Sequence, residues 1–175
     1  MELNIPPPRR ADLRREHIEV IEEVGPSTLI DGMILVSGEV ARSTDFEKGF
    51  PIHWAKRDGV WVPDPLIMDD QCAIVNVRGK GLVVVTGCGH SGIINIIEHA
   101  QALTGVDTVY TVVGGFHLTG GLFEPIIPAT TAALQRINPR YVMPGHCTGW
   151  SATHQLARAM PHAFIPNSVG TTLML

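Results

Sequence analysis

Three short stretches of this 175-residue chain place a histidine where an apolar run breaks into glycine. They are "TGCGHSG" with His90, "VVGGFHLTGG" with His117 and "VMPGHCTGW" with His146. Glycine has no Cβ, so it lets a chain turn sharply and lets a loop approach its neighbour or a ligand. Neutral imidazole is the commonest metal ligand, and two or three of them around an open position make a catalytic metal site. One loop histidine is ordinarily just hydrogen-bonded. Three in equivalent positions point to a shared metal or catalytic site. His17, His53, His99, His154 and His162 lack that setting and read as structural.

Cys88 and Cys147 lie two and one residues from His90 and His146. A Cys–His pair suggests a nucleophile with its base, but residues one or two apart rarely point at each other. Both cysteines read first as small residues filling tight turns. Cys88 is also a candidate metal ligand, because thiolate suits zinc or iron. In "PDPLIMDDQC", Asp69 and Asp70 precede an apolar run; a carboxylate there either ligates or bridges metals or ends a turn, and Asp70 is the stronger candidate. The glycines of "GGFHLTGG" match no phosphate-binding spacing and suggest a pocket wall. Phe116, Trp54, Trp61 and Trp150 read as packing residues.

Those loops need a sheet to deliver them. "CAIVNV" (Cys72 to Val77) and "LVVVT" (Leu82 to Thr86), joined by "RGKG", read as a hairpin. Apolar residues at 93, 96, 97, 100 and 103 predict a helix over Ile93 to Thr104 with Gly105 as its C-cap. Thr108 to Val113 reads as a strand, Pro128 to Ile137 as a helix stopped by Asn138-Pro139, and "RYVMP" as a strand. Ser151 is placed to N-cap a helix ending at Met160, and "AFIPNSVGTTLML" reads as two strands around Asn167. Upstream, Leu29 to Ser37 reads as a strand with a turn at Asp31-Gly32, and Gly38 to Pro65 as loop. Residues 1–28 form a weakly structured arm, with a polyproline-like lead-in and an alternating edge-strand pattern in "REHIEVIEEVGPST". The remainder, 29–175, is one domain. Strands alternating with helices predict an α/β layered fold whose loops converge at one end of the sheet.

Composition narrows the function classes. Hydrophobic content of 45% and charged content of 17% suit a packed core, and the net charge of -4 offers no basic face for nucleic acid. No window approaches the roughly 18–20 apolar residues that cross a bilayer, and the N-terminus lacks the order of a signal peptide. Neither a membrane nor a nucleic acid is expected as a partner. Three widely spaced cysteines suggest a reducing compartment, hence the cytoplasm.

"GLVVVTGCGHSGIINIIEHAQALTG", "YTVVGGFHL", "YVMPGHCTG" and "PNSVGT" together resemble the metallo-β-lactamase superfamily. The resemblance is strongest to its branch of metal-dependent hydrolases that includes the dihydropterin-ribofuranosylaminobenzene 5'-phosphate synthase. "STLIDGMILVSGEVARSTDFEKGFP" is similar to that branch too, so the resemblance runs from about Ser27 onward. It implies an αββα sandwich with a one- or two-metal site at its edge, where metal-generated hydroxide attacks a carbonyl or phosphoryl centre. His146 matches the last metal-ligand histidine; His90, then Cys88, are nominated as further ligands. His117 matches a residue that contacts substrate or metal, and joins Asp70 as a catalytic candidate. The implied cofactor is a divalent metal, zinc first, with manganese or iron as alternatives, and the substrate is a small molecule that the synthase branch would make phosphorylated. Transferase chemistry like that synthase's and a non-catalytic subunit are the other readings.

The superfamily's H-x-H-x-D-H motif has no counterpart in this sequence. The resemblance is therefore to the C-terminal part of a member, with the other metal ligands and half of the sandwich expected from elsewhere. An unpaired apolar strand edge templates association, so the chain is expected to self-associate or to pair with a polypeptide that supplies the N-terminal half.

Overall fold

A computed structural model describes residues 10–175; the prolines of the lead-in lie outside the described residues. The chain is a mixed α/β fold built on one six-stranded sheet. Its strands are β1 (Ser27–Leu29), β2 (Ile34–Val36), β5 (Cys72–Val77), β6 (Gly81–Thr86), β7 (Val109–Gly115) and β8 (Tyr141–Gly145), adjacent in that order. A separate hairpin pairs β3 (Trp54–Arg57) with β4 (Val60–Pro63). The helices are α1 (Arg10–Arg15), α2 (Ile93–Thr104), α3 (Ile127–Ile137) and α4 (Trp150–Ala159).

The hairpin expected from "CAIVNV" and "LVVVT" forms, with β5 antiparallel to β6. From β6 onward the sheet is parallel, with α2 crossing to β7 and α3 crossing to β8. Parallel pairing makes β6 a central strand, and a β-branched run such as "LVVV" suits burial on a pleated surface. Register places Val84, Val112 and Val142 on one face. Against Val112 and Val142 pack Ile93, Ile94 and Ile97 of α2, Leu134 of α3 and Leu156 of α4, all 2% exposed or less, while Val84 clusters with Ile96 and Ala100 of α2. Each such side chain contributes roughly 1.5–3 kcal/mol by leaving water. Gly105 ends α2 in the left-handed conformation, as its position predicted, and Asn138 ends α3 likewise.

The other face of the sheet is only partly covered: Val83, Thr111 and Met143 are buried on it, but a strip beside them is open. It presents Val75, Val85, Val113 and Tyr141, all half-buried or exposed, with Val85 40% exposed.

Several expectations need correction. The Trp-rich segment is not all loop: Asp58-Gly59 turns it into the β3–β4 hairpin, with both residues at positive φ. Trp54, Trp61 and Trp150 are 53%, 54% and 79% exposed, so none is a packing residue; Phe116, at 1%, is. The alternating segment after His17 forms no strand until Ser27. Gly149, not Ser151, caps α4, and no side chain bonds the cap. The C-terminal tail makes only a bridge between Phe164 and Val142 rather than two strands. Pro166 removes a ladder donor there, which disfavours a continuing strand.

Candidate metal centre

Because β6, β7 and β8 run parallel, their C-terminal ends deliver three loops to one edge of the sheet. Residues 87–90 follow β6, 116–117 follow β7 and 146–147 follow β8. The glycines let the first two loops touch backbone to backbone. The Gly115 N–H donates to the Gly87 carbonyl at 2.9 Å. A Cβ on Gly115 would lie 2.8 Å from the Cys88 Cα, and one on Gly89 2.5 Å from the Gly115 oxygen. The Thr148 hydroxyl accepts from the Phe116 N–H at 3.3 Å and donates to the Gly145 carbonyl at 2.7 Å, tying the third loop to the second. His117 and His146 both sit at φ 45°. Such a conformation is uncommon outside glycine and costs on the order of 1–3 kcal/mol. The same strain at the same exit of adjacent strands marks these positions as held for a purpose.

The side chains converge around Cys88. Its Sγ lies 2.7 Å from Cys147 Sγ and 3.2 Å from His117 Nδ1. The His90 and His117 rings meet edge to face, with centroids 4.5 Å apart. The ligand atoms of Cys88, His90 and His117 all lie within 4.8 Å of one another, and so do those of Cys88, His146 and Cys147. Cys88 belongs to both groups. His117 Nε2 is buried with no hydrogen-bond partner among the described residues, a costly state for a polar atom unless something binds it. Thiolate and imidazole donors suit zinc and other borderline-soft ions, and His117 has a buried ring nitrogen that no described residue uses. These residues fit a divalent metal.

The electrostatics reinforce one another. The Cys88 thiol hydrogen-bonds Cys147 and, with His117, holds the Cys147 thiol well below its usual range. The same contact, then burial, pushes Cys88 up. Burial, with His117 alongside, lowers His90 and favours the neutral ring that a metal requires.

Asp70 stands one step back from this cluster. Its carboxylate accepts from the Ser91 N–H at 2.8 Å and from the Ser91 hydroxyl, which braces the residue next to His90. A cleft of about 180 Å³ opens beside the cluster, lined by His90, His117, Phe116, Phe123 and Leu122, with Glu47 and Lys48 in its wall.

Sequence reasoning missed Glu47 and Asn95, and it missed Cys147 as a member of a metal-holding group. Cys147 was judged against its neighbour in sequence, whereas its partner is 59 residues away. Glu47 offered no local signal. Asn95 did: it is a polar residue on the otherwise apolar start of α2. Glu47 accepts from the Ile94 and Asn95 N–H groups at 3.0 and 2.8 Å, satisfying donors that a helix start leaves free. Asn95 accepts from the N–H groups of Ser43 and Thr44 and donates to the carbonyls of Glu47 and Ser91, pinning that segment to the helix.

Burial outweighs the helix amides and pushes the Glu47 carboxyl up from 4.5 to about 7. The folded state thus binds this proton more tightly than the unfolded chain does. The resulting stabilisation is fully present below about pH 4.5 and lost as pH rises to about 7, a change of about 3 kcal/mol. Urea midpoints of the wild type should fall across that window relative to Glu47→Gln; parallel curves would contradict the assignment.

No family model matches the chain. Over 97 residues, 55% of this chain and 33% of the relative, it is 33% identical to the 7,8-dihydropterin-6-methyl-4-(β-D-ribofuranosyl)-aminobenzene-5'-phosphate synthase of Methanocaldococcus jannaschii. It is 34% identical over 152 residues to an uncharacterized protein of the same organism, covering 83% of this chain and 51% of that one. The crystal structure of a metal-dependent hydrolase of the β-lactamase superfamily matches with a TM-score of 0.74 and 25% identity, over 90% of this chain and 58% of that one. The chain thus spans between a third and a half of the curated relatives' length. It shares its fold with a metal-dependent hydrolase of the β-lactamase superfamily, and part of its sequence is similar to the synthase.

Proposed function

We propose that this chain holds a divalent metal, zinc first, at the strand exits and contributes it to hydrolysis of a small phosphorylated molecule. The observation that carries this is the convergence of Cys88, His90 and His117, with ligand atoms within 4.8 Å of one another, while His117 Nε2 is buried and unpartnered among the described residues. Cys88, His90, His117 and His146 would hold the ion, and Asp70 positions the His90 loop through Ser91. A bound divalent metal supplies Lewis acidity and hydroxide near neutral pH. The chain's own residues do the rest. The aromatic walls of the cleft exclude water and seat the apolar part of a substrate, while Lys48 offers a positive charge to an anionic group. Identity to a synthase whose name includes a 5'-phosphate favours phosphate as that group.

Metal-loaded protein is expected to hydrolyse phosphate esters in a chelator-sensitive way. Turnover that survives chelation contradicts metal-dependent hydrolysis. Turnover of a pterin precursor with a phosphorylated ribofuranosyl aminobenzene, without ester hydrolysis, would favour the transferase alternative. Metal binding without either reaction would favour the subunit reading.

We also infer that the open face of the sheet is covered in the working assembly, by a second copy or by a chain supplying the other half of the sandwich. Val75, Val85, Val113 and Tyr141 form an apolar strip there, and contiguous exposed apolar surface marks interaction sites. Light scattering on the purified chain should give more than a monomer's mass, and Val85→Lys should shift it toward monomer. A compact monomer that binds no other chain would contradict the inference.

A further inference from the structure

The two sulfurs at the strand exits have a chemistry that metal binding leaves unused. Cys88 and Cys147 are 59 residues apart in sequence, yet their Sγ atoms lie 2.7 Å apart. That is only about 0.7 Å longer than a disulfide bond. Both are half-buried and thus within reach of a small molecule, whereas Cys72 is buried in β5 at 3% exposure. Nothing else in the described residues places two free thiols together.

We propose that Cys88 and Cys147 form a reversible dithiol–disulfide couple, oxidised by small-molecule disulfides, that decides whether the strand-exit site can hold a metal. One protein thiolate attacks the small disulfide and expels one small thiolate, leaving a mixed disulfide. The second protein thiolate then attacks the protein sulfur of that mixed disulfide and expels the other small thiolate. The protons given up by the two cysteines end on the two small thiols. Two electrons pass from the protein to one small disulfide. The metal consequence rests on the function proposed above, while the couple itself does not. A disulfide sulfur carries no thiolate charge to donate to a cation, and Cys88 is shared by both groups able to hold one. Forming the bridge therefore removes the common ligand.

The test uses the whole chain, chelator-treated and then exposed to oxidised glutathione. Thiol titration and peptide mapping should show its three free thiols falling to one, with Cys88 bridged to Cys147, Cys72 still free, and dithiothreitol restoring all three. Cys147→Ser should stop at a glutathione adduct on Cys88. Three persistent thiols under conditions that oxidise the urea-unfolded chain would overturn the couple, as would stable glutathione adducts or cross-linked dimers in the wild type. In a second arm, zinc retention after gel filtration is compared for reduced and oxidised protein. A loss of tenfold or more on oxidation is expected. If the bridge forms and zinc retention is unchanged, control of the metal is overturned and Cys88 is no ligand, while the couple stands. If no zinc is retained by the reduced protein either, the metal reading fails and the thiol count still decides the couple.

Discussion

Cys88→Ser should abolish metal retention while leaving the fold intact. Cys88 is common to both groups of side chains able to surround an ion, so its loss removes a ligand from either arrangement. Losing an outer-sphere partner of a metal ligand already costs roughly 10–100-fold in affinity, and losing the ligand itself should cost more. The fold should survive because Cys88 is only half-buried, lies outside both hydrophobic clusters, and is replaced by a residue of nearly its own size. Metal content by mass spectrometry, with circular dichroism on the same sample, reads both effects. His90→Ala and His117→Ala should follow Cys88→Ser closely. His146→Ala should be milder, because its exposed ring falls only in the group with Cys88 and Cys147.

Gly115→Ala should be strongly damaging although it adds a single methyl at a position with no positive φ. The added Cβ would lie 2.7 Å from the Gly87 oxygen and 2.8 Å from the Cys88 Cα. Both obstacles are backbone, so no side chain can swing away and the two loops must part. Overpacking together with the lost Gly115–Gly87 hydrogen bond should cost about 2–4 kcal/mol. For a chain of this size that lowers the melting temperature by roughly 5–15 °C. Metal retention should fall as well, since Cys88 moves with its backbone away from His117. Gly121→Ala is the control: nothing lies within 4 Å of a Cβ there, and its melting temperature should match the wild type. Equal melting temperatures for the two variants would mean that the loops are not in contact.

Much of the sheet could be read from the residues alone. Val83, Val84 and Val85 announce a central strand, and α2 with its glycine cap follows from apolar spacing. These are local signals, and burial then reinforces them. The failures have a common origin in long-range contacts. "AFIPNSVGTTLML" has the composition of strands, but its only ladder contact is Phe164 with Val142. The Trp54 and Trp61 hairpin was hidden because its side chains face solvent, where the apolar pattern carries no information.

The candidate site divides the same way. His90, His117 and His146 could be nominated because each follows an apolar run and glycine, which is a local pattern. Cys147 and Glu47 could not, because what matters about them is a partner 59 and 47 residues away. Asp70 was nominated for chemistry, and the structure places it on Ser91, next to the cluster rather than in it.

The central claim is that a cation sits on Cys88 sulfur between His90 and His117. Cobalt(II) titration of the metal-free chain tests it most directly, because a thiolate–cobalt bond has its own near-ultraviolet charge-transfer absorption. The wild type should develop that band with saturation. Cys88→Ser should lose it, and His117→Ala should need far more cobalt to reach it. Cobalt bound equally well by the wild type and by Cys88→Ser, with no sulfur band in either, would contradict the claim.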